Sequence, residues 1–187
     1  MAKFYNSSEI HSLNKRQIFF DANILLYIFW PTGSGWTKQY STIFNRLLKQ
    51  KNEMAVDFIV ISEVVNRAVR IEYEKHLQAN NITRKKLPFK KYRDSQDGQE
   101  SLNDVYWIVK KNIVSKFSIT GKAFTKSDIE NFLHIDSLDF SDKGIAAICE
   151  EHCFVLLTND KDFAESDLEI LTSNPGLLKK HGQNHRI

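Results

Sequence analysis

Four acids stand far apart in the chain, each beside apolar neighbours that would position a carboxylate for chemistry. Asp21 follows the apolar run Ile18-Phe19-Phe20 and precedes a helix-like set, Ile24, Leu25 and Ile28. A short apolar run of this kind reads as a strand buried on both faces. Asp160 stands three residues beyond a second such run, Phe154-Val155-Leu156-Leu157. Glu63 sits among Ile61, Val64, Val65 and Ala68, and Asp142 shares a helix face with Ile145, Ala146 and Cys149. Each acid also has a plain structural use. Asp21 can cap a helix, Glu63 can pair with Arg67 four residues on, and Asp142 can complement a helix dipole. If the four converge, the chemistry changes. Two like charges about 4 Å apart repel by roughly 4 kcal/mol at an effective dielectric near 20, so such a cluster takes up protons or cations.

The elements needed to bring them together are legible. Strand patterns at residues 18–20, 54–56, 154–157 and 168–171 alternate with helical patterns at 37–49, 58–77, 101–117 and 141–152. Asp57 is placed to cap the second of these helices, and Ser127-Asp128-Ile129-Glu130 has the form of a capping box that starts a short helix through about His134. Strands alternating with helices predict an α/β fold with a parallel sheet covered on both faces. Right-handed crossovers then place the loops after Phe20 and Leu157 on the same carboxyl edge, where open sheets bind ligands. Residues 78–100 are polar and rich in Lys and Arg, and read as an insertion or lid. Trp30 and Trp36 flank a breaker-rich loop, either packing locally or offering a surface for bases or a partner.

Composition narrows the class. At 187 residues and 42% hydrophobic content the chain is large enough for one well-packed domain. No apolar run approaches a membrane span and the N-terminus has no signal-peptide core, so a soluble, cytoplasmic protein is expected. The net charge of +3 permits a nucleic-acid partner without requiring one. The two cysteines, Cys149 and Cys153, lack a second pair for a zinc site and read as buried free thiols. The six histidines are scattered without metal-ligand spacing, and His181 and His185 fall in a basic tail.

Phe20-Asp21-Ala22-Asn23, Ile61-Ser62-Glu63-Val64-Val65, Asp139-Phe140-Ser141-Asp142-Lys143-Gly144-Ile145-Ala146-Ala147 and Leu157-Thr158-Asn159-Asp160-Lys161-Asp162-Phe163 together resemble the PIN-domain nucleases. That family includes VapC-like ribonuclease toxins of toxin–antitoxin pairs. The resemblance covers roughly residues 17–77 and 135–172. It implies a three-layer α/β/α fold with a central parallel sheet and an inserted helical segment. The expected layout is a polar extension at 1–16, a nuclease domain at 17–172 with its insertion at about 78–134, and a basic tail at 173–187. By position, Asp21, Glu63, Asp142 and Asp160 resemble the four metal-binding acids, Asp162 an auxiliary one, and Asn23 and Thr158 the polar residues that support the site.

All-oxygen ligands without His or Cys favour a hard cation, Mg²⁺ or Mn²⁺. Such an ion suits phosphodiester hydrolysis, because it lowers the pKa of a bound water and stabilises charge on phosphate. The expected activity is therefore a metal-dependent endoribonuclease acting on RNA. As a toxin it would have an antitoxin partner and form a homodimer. Arg84, Lys85, Lys86, Lys90, Lys91 and Arg93, with Phe89 and Tyr92 interleaved, are the candidate nucleic-acid surface; a solvated basic insertion is the alternative. A catalytically inactive module of the same fold, binding RNA or a protein, is the competing function. A phosphatase with Asp21 as nucleophile is the weaker third, since Asn23 replaces the second acid which that chemistry uses.

Overall fold

The computed structural model describes residues 3–31 and 33–183, the side chains of 180–183 excepted. The last residues of the tail, 184–187, and Met1 and Ala2 of the extension lie outside the described residues, as do the side chains of His181 and His185. Six strands form one parallel sheet: β1 (Lys3–Tyr5), β2 (Ile18–Phe20), β3 (Met54–Val56), β4 (Ser118–Ile119), β5 (Val155–Leu157) and β6 (Glu169–Leu171). Their spatial order is β1-β6-β5-β2-β3-β4. Around them run α1 (Ala22–Phe29), α2 (Trp36–Gln50), α3 (Phe58–Ala79), α4 (Phe89–Arg93), α5 (Gln96–Val109), α6 (Lys126–Phe132), α7 (Phe140–His152) and α8 (Pro175–Gln183). The result is a three-layer α/β/α fold.

The central strands are apolar because neither face meets water. Every residue of β2, β3 and β5 is buried. Complete burial of a side chain such as Phe19, Phe20 or Leu156 contributes about 1.5–3 kcal/mol. Register pairs Ile18 with Val155 and Phe20 with Leu157 on one side of β2, and Ile18 with Met54 on the other. The chain leaves β2 toward β3, yet returns to β5 on β2's opposite flank. That reversal of direction is the switch point at which a parallel sheet opens a crevice.

The helices end where their residues permit. Asp57 Oδ1 accepts the amide of Val60 at 2.8 Å and caps α3. Asp139 caps α7 through the amide of Asp142, also at 2.8 Å. The capping box at α6 is formed by Thr125 with Asp128, two residues earlier than the Ser127/Glu130 reading, because both Thr125 hydrogen bonds close on Asp128. Cys153 closes α7 in the left-handed conformation, φ 54°, and is exposed. Of the two thiols only Cys149 is buried, and burial pushes its pKa well up.

Three stretches fold more than their sequence shows. Residues 1–16 supply β1 and a 3-10 turn, Ile10–Leu13, whose Ile10 and Leu13 are buried. A three-residue edge strand and one turn are too short to carry a periodic signal. The tail forms α8, which packs on β1 and buries Leu177. The 78–134 segment does not form a lid, and none of its residues lines the crevice. Instead α3 and α5 form a long hairpin with α4 at its tip, and β4 adds an edge strand beside β3. Val105, Val109 and Ile113 join the main core, while Tyr73, Leu77 and Tyr92 make a separate small cluster at the tip. The turn there is tight: a Cβ on Gly98 would lie 1.9 Å from the Tyr92 carbonyl.

Candidate active site

The crevice beyond β2 and β5 is a pocket of about 770 Å³. Asp21, Glu63, Asp142, Asp160 and Asp162 all line it, brought from four segments of the chain. Asp21 comes from the end of β2 and is 5% exposed. It occupies the N-cap position of α1 but makes no side-chain cap bond. Its Oδ2 is held instead by the Asn23 amide and the Thr158 hydroxyl, each at 2.5 Å. The Thr158 hydroxyl also accepts the backbone amide of Asp160 at 2.9 Å. One hydroxyl thus ties β2's carboxylate to the β5 loop. Asn23 and Thr158 thus both hydrogen-bond the Asp21 carboxylate.

The electrostatics follow from this crowding. Burial pushes the Asp21 carboxyl up to about 6, Glu63 and Asp160 add to that rise, and the Thr158 hydrogen bond opposes it. Asp142 is pushed up to about 7, first by burial and then by the charges of Asp139, Asp21, Asp160 and Glu63. Asp139 goes the other way: burial raises it, but the Asp142 amide and the Ser141 hydroxyl outweigh that and hold it low. Among the described residues neither Asp21 nor Asp142 has a salt-bridge partner. Glu63 does, because Arg67 Nη1 donates to it at 2.8 Å. Glu63 both lines the pocket and pairs within its helix.

The acids share the pocket without closing into a ligand cluster. Among the described residues no three His, Cys, Asp or Glu side chains converge tightly enough to enclose a metal ion. The donor set still fits a hard cation. Among the described residues the lining offers carboxylates and amide oxygens, with no imidazole or thiolate. Arg67 and Lys161 are the cations on its wall.

Several contributors escape a sequence reading. The Tyr40 hydroxyl, on the buried face of α2, donates to Asn159 Oδ1 at 2.7 Å and accepts the Ser173 amide at 3.2 Å. Burial raises its pKa to about 12, so it remains a neutral donor. Asn174 Nδ2 donates to the Asn159 carbonyl at 2.8 Å, and the Asn159 amide donates to Asn23 Oδ1 at 3.3 Å. These contacts fix the β5 loop. Tyr40 looked like one more apolar residue of an amphipathic face; its hydroxyl was the available signal. Asn174 lies outside every motif. Trp36 lines the pocket at the start of α2, tilted on Tyr40, whereas Trp30 is buried and packs locally.

The basic run of the insertion lies elsewhere. Arg84, Lys85, Lys86, Lys90, Lys91 and Arg93 do not line the pocket. Their segment packs on Tyr73, ten residues beyond Glu63 along α3, or about 15 Å at helical rise. Arg84 pairs with Glu74 and Arg93 with Asp94. The interleaved aromatics are not open to bases: Tyr92 is buried, and Phe89 packs against Tyr73 beneath the Arg70 guanidinium.

A family model of the PIN domain matches residues 18–168. Among solved structures, FitAcB from Neisseria gonorrhoeae is similar over 82% of this chain and 96% of its own, with TM-score 0.54 and 13% identity. VapBC2 from Rickettsia felis, bound to a DNA fragment from their promoter, gives TM-score 0.48 and 15% identity over 84% of this chain and 99% of its own. No curated protein sequence matches the chain.

Proposed function

Since the chain belongs to the PIN-domain family, whose members are generally nucleases, we propose that it is a divalent-metal-dependent endoribonuclease. In this reading it is the toxin of a toxin–antitoxin pair, held by an antitoxin partner, and acts in the cytoplasm as a homodimer. The observation that carries the nuclease reading is the crevice at the β2/β5 switch point, where Asp21 and Asp142 lie partly or wholly desolvated beside like charges and, among the described residues, without a salt-bridge partner. Burying charge in this way costs free energy unless something neutralises it. Protons do so only in part at neutral pH, with pKa values about 6 and about 7.

Asp21, Glu63, Asp142 and Asp160 would hold Mg²⁺ or Mn²⁺, with Asp162 in an auxiliary position. A bound ion of that kind supplies an activated water and stabilises charge on the phosphate. The chain's own residues do the positioning. Thr158 and Asn23 fix the Asp21 carboxylate, and the Tyr40–Asn159–Asn174 contacts fix the loop that presents Asp160. Arg67 and Lys161 are placed to meet phosphate oxygens. The Glu63–Arg67 pair would open as Glu63 turns to the cation and Arg67 to the substrate. At the hairpin tip, the exposed Lys85, Lys86, Lys90 and Lys91 add long-range attraction for a polyanion.

Incubation of the purified chain with RNA and Mn²⁺, with and without chelator, tests the proposal. Cleavage should require the ion and fall at least ~10²-fold in Asp21→Asn, the order expected for losing one charged group at a reacting centre. Equal cleavage by Asp21→Asn and the parent overturns it and leaves the inactive binding module as the reading.

A further inference from the structure

The aromatics expected to stack bases at residues 84–93 are covered, but the other arm of the same hairpin carries exposed ones. On α5, Tyr106 and Trp107 are 54% and 57% exposed. With Asn103, Asp104 and Lys110 they line a shallow concavity of about 560 Å³. Lys111 lies over one face of the Trp107 ring at 4.4 Å, and Lys110, Lys111 and Lys116 are all exposed. Residues 103, 107, 110, 111 and 114 fall on one side of a helix. Asp104 is the acid at the edge of this stripe. From Lys110 to Val114 the helix widens into a π turn, a feature that frequently marks a functional surface.

We infer that the outer face of α5, built on Tyr106, Trp107, Lys110 and Lys111, is a stacking platform for single-stranded RNA outside the acidic pocket. Placement supports it. His76 of α3 and Asp97 of α5 approach to 3.8 Å at the tip end of the hairpin. Beyond that point α5 runs back along α3, since Val105 and Val109 join the main core and not the tip cluster. Nine residues along α5 from Asp97 reach Tyr106, and nine back along α3 from His76 reach Arg67, which lines the pocket. The aromatic pair thus stands level with the pocket wall, where a strand leaving the pocket over Arg67 would meet it.

The chemistry favours this occupant. An exposed Trp is a flat surface with a π-face for any base, and adjacent lysines answer the phosphates between bases. Lys111 lies over the Trp107 ring, which is still 57% exposed. A face made for a second copy of the chain would be short of unpaired lysines at its centre.

This inference rests on the nuclease reading for its substrate, so its test is kept separate from cleavage. A labelled, unstructured oligoribonucleotide of about 20 nucleotides is titrated with the full chain in chelator, followed by fluorescence anisotropy. Trp107→Ala should weaken binding about ten-fold, the order of one lost base stack, and Trp107→Phe should restore most of it. Lys110→Ala with Lys111→Ala should lower the slope of log affinity against log salt by about 1.4, or 0.7 for each phosphate contact. Unchanged affinity in Trp107→Ala overturns the inference. So does a change in sedimentation of the free protein with no change in affinity, which would make this face a contact between copies. If Trp107→Ala weakens binding while the parent cleaves no RNA with Mn²⁺, the platform stands and the nuclease reading falls.

Discussion

The carboxyl edge of the sheet and the tip of the α3–α5 hairpin are built from the same kinds of residues in opposite circumstances. At the tip, charges are at the surface: Arg84 pairs with Glu74 at 2.9 Å, Lys75 with Glu72 at 2.8 Å and Arg93 with Asp94 at 3.0 Å, while Lys85, Lys86, Lys90 and Lys91 stand in water. Such pairs contribute about 0–1 kcal/mol each and ask for nothing further. At the edge, Asp21 is buried and Asp142 half-buried, both beside other acids and, among the described residues, without a salt-bridge partner. A fold tolerates that only where something else fills the deficit. The difference teaches that density of charge is a poor guide to function in this chain, and that desolvated charge is the better one.

The sharpest way to break the comparison is to remove the imbalance. The Asp21 carboxyl stands at about 6, against 3.8 for an ordinary Asp. Its proton is therefore held more tightly in the folded chain than in the unfolded one. Stability from this source is complete below pH about 4 and is lost as pH rises through about 6. The full loss for Asp21 is about 3 kcal/mol, with roughly half falling between pH 5 and 8. Asp142, pushed up to about 7, adds a loss of the same sign at higher pH. In metal-free buffer at pH 8, Asp21→Asn should raise the melting temperature by about 6–12 °C and flatten its fall between pH 5 and 8. That window avoids Asp128, Asp136 and Glu169, whose lowered pKa values destabilise the fold only in stronger acid. A lower melting temperature in Asp21→Asn would mean that the carboxylate is satisfied and the comparison is wrong.

Supplying a cation tests the same imbalance from outside. At a free Mn²⁺ concentration one hundred times the dissociation constant, binding linkage stabilises the parent by about 2.7 kcal/mol. That corresponds to about 5–10 °C in a chain of this size. Protons on Asp21 and Asp142 compete with the ion, so the shift should be larger at pH 8 than at pH 5.5. Asp142→Asn should lose most of it. A shift that is the same at both pH values would place the ion away from these acids.

How much of this was readable from residues alone depends on the range of the signal. Asp21 and Asp160 were legible because each follows an apolar run that must be a central strand, and topology does the rest. Asp142 and Glu63 were legible from helical phase. What was missed needed three dimensions. Tyr40 is 118 residues from the Thr158 carbonyl that its hydroxyl reaches, and nothing local marks it as more than a core aromatic. β1 and α8 lie at opposite ends of the chain and find their role only when α8 packs on β1 and β1 pairs with β6. The basic run at 84–93 misled for the converse reason: its composition was visible, but the burial of Tyr92 against Tyr73 and His76 was not. Tyr106, Trp107 and Lys111 fall in a stretch, 101–117, that reads only as one more helix, and Tyr106 is in phase with its apolar residues yet 54% exposed.

The smallest expected effect is the one that most sharpens the contrast. If the hairpin tip is satisfied as it stands, Arg84→Ala and Arg93→Ala should each change stability by less than about 0.5 kcal/mol, since each removes one exposed ion pair. Neither guanidinium lines the pocket, and each is engaged by an acid on its own arm of the hairpin. Cleavage of RNA by the double variant at moderate salt should stay within about three-fold of the parent, the residue of a weakened long-range attraction. At low salt the deficit should widen, because screening no longer hides it. A ten-fold loss that persists at high salt would show that the arginines leave their carboxylates to grip phosphate directly. The tip would then be a second unbalanced region, with Glu74 and Asp94 as its resting counter-charges.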